Sequence, residues 1–399
     1  MKSKTKTNTK QMPSDATKTL LELTSLPTAP FLEGSVLAYV RNWVSKRPYL
    51  KVQADRFGNL LIVRRGKATK RPRLVMVAHG DHPGYVAKRM TSPSTLEADF
   101  RGGVMGKFAP TARVRFFTPE GPVIGKVLAH HEDESGRLMG ALFRVPREVA
   151  PESLGMFDVG EARLKSGRLV SRVCDDLAGV AAALVAMEKI ESADVAARKK
   201  SASTKAAHDR AKKTEAVGDV ALLLTRGEEM GFVGAIAAVR DGKLLRASDR
   251  IISIECSAEQ PVARQGEGVV LRVGDRTSVF HSAFGRFLRV TAEDEAKRDR
   301  TFKFQRALMP GGTCEGTVFD AYGYITAAVC VPLGCYHNMD QTTGKIAAEH
   351  VHLGDWWSMT RLLALIGLKL GAFDGSHAEL KAFLDERFGK LIPMLRPIE

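Results

Sequence analysis

Leu74-Val75-Met76-Val77-Ala78-His79-Gly80-Asp81 is the stretch whose reading decides the fold. Five apolar residues follow one another without alternation, as in a strand covered on both faces, and the run then stops at a histidine and an aspartate. Three later runs repeat the design. Ala221 to Leu224 leads into Thr225-Arg226-Gly227-Glu228-Glu229, Ile251 to Ile254 into Glu255, and Ala327 to Leu333 into Gly334-Cys335-Tyr336-His337. Ligands of an open α/β sheet collect beyond the carboxyl ends of its strands, so four runs that each deliver an imidazole or a carboxylate describe one site. Cys174-Asp175-Asp176, just ahead of the helix-like Leu177 to Ile190, offers a fifth contribution from a loop.

Around these runs the chain divides by texture. With 399 residues it has room for two or three units and a large core. Residues 1–16 read as a basic, solvated tail without the apolar region of a secretory signal. Residues 17–90 begin with two helical patterns and continue into the first strands, as the first part of a catalytic α/β domain. Residues 91–168 change to short, Gly- and Pro-punctuated segments, a small β insert whose Phe116, Phe117, Leu142 and Phe143 look exposed. The α/β texture returns over 169–395, with the Lys/Ala/Ser-rich stretch Ser192 to Val217 reading as an exposed helix or loose loop.

Composition narrows the classes of function. At 44% hydrophobic and 26% charged residues the chain is an ordinary globular one. Its best apolar candidate for a membrane span, Leu362 to Phe373, is broken by Gly367, Lys369 and Gly371. The net charge of +15 is scattered and is not interleaved with aromatics, which argues against a specific nucleic-acid platform. Five cysteines, odd in number and without a C-x-x-C pair, suit a reduced, cytoplasmic protein.

Two histidines and several carboxylates are what a pair of divalent ions requires, since zinc and its neighbours accept imidazole nitrogen and carboxylate oxygen and one carboxylate can bridge two ions. In the pair Glu228-Glu229, neighbouring side chains on extended backbone would point opposite ways, one to a metal and one free to move a proton. Each residue also has an ordinary structural explanation. A single His79 or His337 could be a hydrogen-bonded core histidine, and Asp175-Asp176 or Glu228-Glu229 could serve a helix N-terminus. It is their common place at strand ends that lifts them together. His130-His131 reads as part of a solvated loop. No P-loop, H-E-x-x-H, G-x-S-x-G or strand-borne G-x-G-x-x-G is present.

In these residues the chain resembles the dinuclear-metal aminopeptidases of the glutamyl and tetrahedral type, relatives of the co-catalytic zinc exopeptidases. The resemblance rests on Asp55-Arg56-Phe57-Gly58-Asn59-Leu60, Ala78-His79-Gly80-Asp81, Cys174-Asp175-Asp176-Leu177-Ala178-Gly179, Gly227 to Ala235, Gly266-Glu267-Gly268, Pro310-Gly311-Gly312-Thr313 and Tyr336-His337-Asn338, in that order. It implies an α/β fold, a mixed-sheet catalytic domain of the zinc-exopeptidase kind interrupted by a small β-barrel-like dimerisation domain. It also implies two divalent ions per subunit, zinc first with cobalt or manganese as alternatives. His79 and Glu255 would hold one, Glu229 and His337 the other, and Asp175 would bridge them. Glu228 would be the general base and Asp81 would hydrogen-bond His79 to fix its tautomer. The expected partners are a peptide or small amide substrate and further copies of the chain, without membrane or specific nucleic acid. Glu255 stands where the family usually has Asp, His82 where an acidic residue is common, and Cys314-Glu315 and Gly334-Cys335 also depart from the pattern. The activity expected is therefore release of N-terminal residues from peptides, with a deacylase of small N-acyl substrates or a non-catalytic scaffold as alternatives.

Overall fold

The computed structural model describes residues 12–65, 72–202, 219–241, 243–373 and 377–394. The second half of the Ser192 to Val217 stretch lies outside them, while its first half continues a long helix, Leu177–Ala202.

The run that opened the sequence forms the strand Leu74–His79, at the centre of an eleven-stranded mixed sheet. It lies parallel to Val220–Thr225 on one side and to Arg250–Ala258 on the other, and the latter lies parallel to Ile325–Gly334. These are the four ligand-bearing runs. Because they are immediate neighbours and parallel, their carboxyl ends share one edge of the sheet.

The lack of alternation has a direct cause. Leu74, Met76 and Ala78 face a core shared with the helices Ser14–Thr24, Gly34–Ser45, Leu177–Ala202 and Leu353–Lys369. Val75 and Val77 face the opposite core, with Ala235, Ala238, Val318 and Phe319. Both faces are covered, so both sets of side chains must be apolar.

Six strands from Gly84–Ser92 to Leu154–Phe157 close into a separate antiparallel barrel. The next two strands, Arg163–Lys165 and Arg168–Ser171, already pair into the main sheet. Phe116 and Phe143, expected on the surface, are fully buried and meet edge to face at 5.2 Å inside the barrel. Closure of the sheet gives the small unit an interior that an open sheet of this size would lack. Leu142 does stay exposed. His130 and His131 lie on the strand Val123–Glu132, where His130 Nε2 sits 3.0 Å from Glu132 Oε1, and not in a loop.

Candidate active site

The carboxyl edge of the sheet gathers the seven residues singled out from the sequence. His79 Nε2 lies 3.6 Å from Asp175 Oδ1, 3.9 Å from Glu255 Oε2 and 4.0 Å from Glu228 Oε2. His337 Nε2 lies 3.0 Å from Glu229 Oε1 and 3.8 Å from Asp175 Oδ2. The geometry thus yields two metal-sized clusters, His79-Asp175-Glu255 and Asp175-Glu229-His337, with Asp175 in both. Glu228 joins a third grouping with His79 and Glu229.

The fit of a cation can be tested on the proton positions. The Nδ1 atom of His337 lies 2.8 Å from the carbonyl oxygen of Gly103, and that of His79 lies 3.2 Å from the carbonyl of Asp81. A carbonyl only accepts, so both Nδ1 atoms donate, and in each neutral ring Nε2 is left with a lone pair aimed at carboxylates. His337 Nε2 and Glu229 Oε1 are both buried and neither finds a hydrogen-bond partner. Two acceptors facing each other in a buried site call for a cation between them. The donor set, imidazole with carboxylates and without thiolate, suits zinc or its neighbours.

Electrostatics carry the same message. Burial opposes a charge on His337, but the carboxylates of Glu229 and Asp175 outweigh it and push its pKa to about 9. Burial raises the Glu228 carboxyl well above its ordinary range, with the Glu255, Glu229 and Glu315 charges adding to the effect although His79 opposes it. Glu255 is carried by burial to about 7. So much negative charge in one buried place is unstable unless something positive joins it.

Glu228 and Glu229 do not lie on extended backbone. They open the 3₁₀ turn Glu228–Met230, bounded by Gly227 at φ 61° and Gly231 at φ 94°. The Asp81 carboxylate holds this turn, accepting the Glu228 amide at Oδ1 and the Glu229 amide at Oδ2, each at 3.0 Å. Asp81 meets His79 chiefly through its backbone carbonyl, its carboxylate lying 3.7 Å from the ring. Its negative charge also sits where the turn presents amides, which compensates both.

Three further residues support the site: the sequence marked His82 and Glu315 only as departures from the family pattern, and Glu349 not at all. Glu349, fully buried, accepts the amides of Cys174, Asp175 and His337 at 2.6, 3.2 and 2.9 Å, tying the bridging loop to the last ligand. His82 places its Nδ1 2.9 Å from the Asp175 carbonyl and its Nε2 3.2 Å from Asn338 Oδ1. Glu315 receives the Thr225 hydroxyl at 2.8 Å, and burial raises its pKa to about 8. In the sequence Glu349 carries no strand-end signal, whereas His82 directly follows the strand-end run Ala78-His79-Gly80-Asp81 and Glu315 lies just after Gly311-Gly312-Thr313.

Comparison with known proteins comes to the same place. The M42 glutamyl aminopeptidase family profile matches residues 201–352, the part that carries Glu228, Glu229, Glu255 and His337. A putative aminopeptidase of Acetivibrio thermocellus is 23% identical over 306 residues, which cover 73% of this chain and 83% of that protein. In fold, the chain is similar to aminopeptidase APDkam598 of the archaeon Desulfurococcus kamchatkensis, with TM-score 0.69 and 20% identity over 91% of this chain and 98% of that one. It is also similar to the Pyrococcus horikoshii TET1 peptidase, which can assemble into a tetrahedron or a large octahedral shell, with TM-score 0.67 and 19% identity over 89% and 99%. The resemblance read from the motifs is borne out: the chain is similar to the M42 aminopeptidases in sequence through its second half and in fold through most of its length.

Proposed function

We propose that this chain, an enzyme of the aminopeptidase type, releases N-terminal residues from peptides by means of two divalent ions held in the cage just described. His79, Asp175 and Glu255 would take one ion, and Asp175, Glu229 and His337 the other. The observation that carries this reading is the buried pair of His337 Nε2 and Glu229 Oε1, 3.0 Å apart and neither with a hydrogen-bond partner, in a cluster that shares Asp175 with His79 and Glu255. Bound there, the ions supply Lewis acidity, lowering the pKa of water and polarising an amide carbonyl. Zinc is the first choice, with cobalt or manganese as alternatives.

Neither shared-Asp175 cluster needs Glu228, which leaves its carboxylate for proton transfer. Its raised affinity for a proton suits a general base near neutral pH that later returns the proton to the leaving amine. Asp81 positions that base through the two backbone amides of the turn. Metal analysis of the purified protein, combined with hydrolysis of matched aminoacyl and N-acyl amides, tests the reading. About two ions per chain and a requirement for a free α-amine support it, and turnover of N-acyl amides alone would replace it with a deacylase.

We also propose a homo-oligomer built through the barrel. Leu128, Met139 and Leu142, on the adjacent strands Val123–Glu132 and Leu138–Arg144, are 49%, 46% and 36% exposed. Apolar side chains grouped on one β surface favour contact with another copy. Light scattering at micromolar concentration should give at least a dimer mass, and a clean monomer would reject the assembly. Five unpaired cysteines support a reducing, cytoplasmic setting. Among the described residues no helix is long and apolar enough to cross a membrane.

A further inference from the structure

The strand Val220–Thr225 hands the chain to the turn of Glu228 and Glu229 through two residues, Arg226 and Gly227. Four consecutive backbone amides in this passage are taken by side chains from other parts of the chain. Arg226 N donates to Asn59 Oδ1 at 3.1 Å, Gly227 N to Glu33 Oε1 at 3.0 Å, and the Glu228 and Glu229 amides to the two oxygens of Asp81 at 3.0 Å each. Buried amides outside a ladder need an acceptor, and here each receives one from a side chain. Asn59, Glu33 and Asp81 are all fully buried.

Asp81 belongs to the site already described, but Glu33 and Asn59 do not. Glu33 occupies the cap position of the helix Gly34–Ser45, yet its side chain makes no capping bond to that helix. Its Oε1 instead accepts the amides of Phe31 and Gly227 at 2.9 and 3.0 Å, and its Oε2 accepts Arg226 Nε at 2.8 Å. The same guanidinium donates through Nη1 to the Phe57 carbonyl at 2.8 Å and through Nη2 to that of Phe31 at 3.2 Å. Asn59 is fixed in turn, its Nδ2 donating to Asp55 Oδ2 at 2.7 Å and to the Gly234 carbonyl at 3.0 Å. The motif Asp55 to Leu60, which contributes nothing to the cage, thereby reaches the segment that carries Glu228.

The passage needs such support because of Gly227. It adopts φ 61°, and a Cβ there would meet the Phe31 ring at 2.5 Å, so only glycine fits. Glycine is also the residue least able to hold its own conformation. A rotation at Gly227 would swing the carboxylate that follows it. Glu33 holds the amide before the Gly227–Glu228 link and Asp81 the amide within it, which removes that freedom.

We propose that Glu33, braced by Arg226, is a positioning residue that fixes the turn and with it the direction of the Glu228 carboxylate. The proposal rests on the reading of Glu228 as general base. Misplacing a reacting group by about 1 Å can cost on the order of 10²-fold in rate.

Glu33→Gln keeps the size of the side chain and an acceptor for the Gly227 amide but gives up the anion that braces Arg226. The metal-loaded enzyme is assayed on the aminoacyl amide that the wild type cleaves fastest. In the variant kcat should fall by about 10- to 10²-fold, with KM and bound metal unchanged. Should Glu33→Gln fail to fold, Arg226→Lys, which keeps the charge without the planar fork, should give a smaller loss of the same kind. Because Glu33 acts through Glu228, its effect should vanish in the Glu228→Gln background, where the double variant should turn over no more slowly than Glu228→Gln alone. An unchanged kcat in Glu33→Gln, or losses that multiply in the double variant, would overturn the proposal.

Hydrogen exchange at the amides of residues 226–229 gives a reading independent of turnover. If Glu228→Gln keeps near-normal activity, or no amide is cleaved at all, the reading of Glu228 as base falls while exchange still decides whether Glu33 holds the turn. Exchange about tenfold faster or more in Glu33→Gln, confined to this segment, upholds that role. Exchange at the wild-type rate rejects it.

Discussion

Inside the barrel, Tyr85 meets Phe100, Phe143 and Phe157 with ring centroids 4.7, 5.0 and 5.7 Å apart. At the carboxyl edge of the main sheet His79, Asp81, His82, Asp175, Asp176, Glu315 and Glu349 are just as thoroughly buried, and every one is ionisable. The barrel interior is stabilised by its own contacts, because aromatic rings gain from leaving water and from packing edge to face. The sheet edge gains nothing from burial alone. Its charges need each other, the backbone amides that Asp81 and Glu349 collect, and a cation. The two regions also touch, since the carbonyl that orients His337 belongs to Gly103, on the chain that leaves the second barrel strand, Thr95–Arg101. Because each is held chiefly by its own kind of contact, one unit could still be damaged without unfolding the other, and the consequences should differ in kind.

The largest effect should come from the sheet edge and should leave stability alone. Glu228→Gln keeps the shape of the side chain but cannot accept a proton, so kcat should fall by about 10²- to 10⁴-fold while bound metal is retained. Near-normal turnover would assign the proton transfer to another group. In the barrel the reverse is expected: Phe143→Ala should cost about 3–5 kcal/mol in urea unfolding of that unit, with the metal content per folded chain unaltered. Loss of metal in that variant would show that the barrel is not independent of the cage.

Removing the metal should expose the contrast through pH. In the metal-free protein His337 has its pKa raised from 6.5 to about 9, so the stabilisation from its protonated form is complete below the lower value and disappears as pH climbs through the higher. Glu255, raised from 4.5 to about 7, acts in the same direction over its own range. The melting temperature of chelator-treated protein should therefore drop between pH 6 and 9, and the metal-loaded protein should resist that drop. Identical profiles would mean that the imidazoles and carboxylates are not what the metal compensates. The smallest change is expected for Asp81→Asn, which keeps one acceptor for the turn amides and removes the charge: activity should fall by roughly tenfold, with the turn less rigid. A loss as deep as that of Glu228→Gln would give Asp81 a direct part in proton transfer.

Much of this arrangement could be read from local order. Leu74 to Ala78 reads as a strand covered twice, Val220 to Leu224 and Ile251 to Ile254 repeat the apolar run, and each leads within a few residues to a side chain able to bind a cation. The insert announced itself by its turn residues, yet Phe116 and Phe143 were misplaced because closure into a barrel depends on strands far apart in sequence, such as Arg113–Phe116 beside Leu154–Phe157. The turn at Glu228–Met230 was misread as extended for a similar reason, since it is held by Asp81 from the loop after the strand Leu74–His79.

What the sequence by itself determined, then, is the set of elements and the residue types at their ends, because hydrophobic periodicity and turn chemistry act over a few neighbouring residues. Only the tertiary structure decided which distant groups meet: that Glu349 would gather the amides of Cys174, Asp175 and His337, and that Glu33 would pair with Arg226 and take the amide of Gly227. A buried charge has its meaning in its partners, and partners are chosen by the packing of the whole chain.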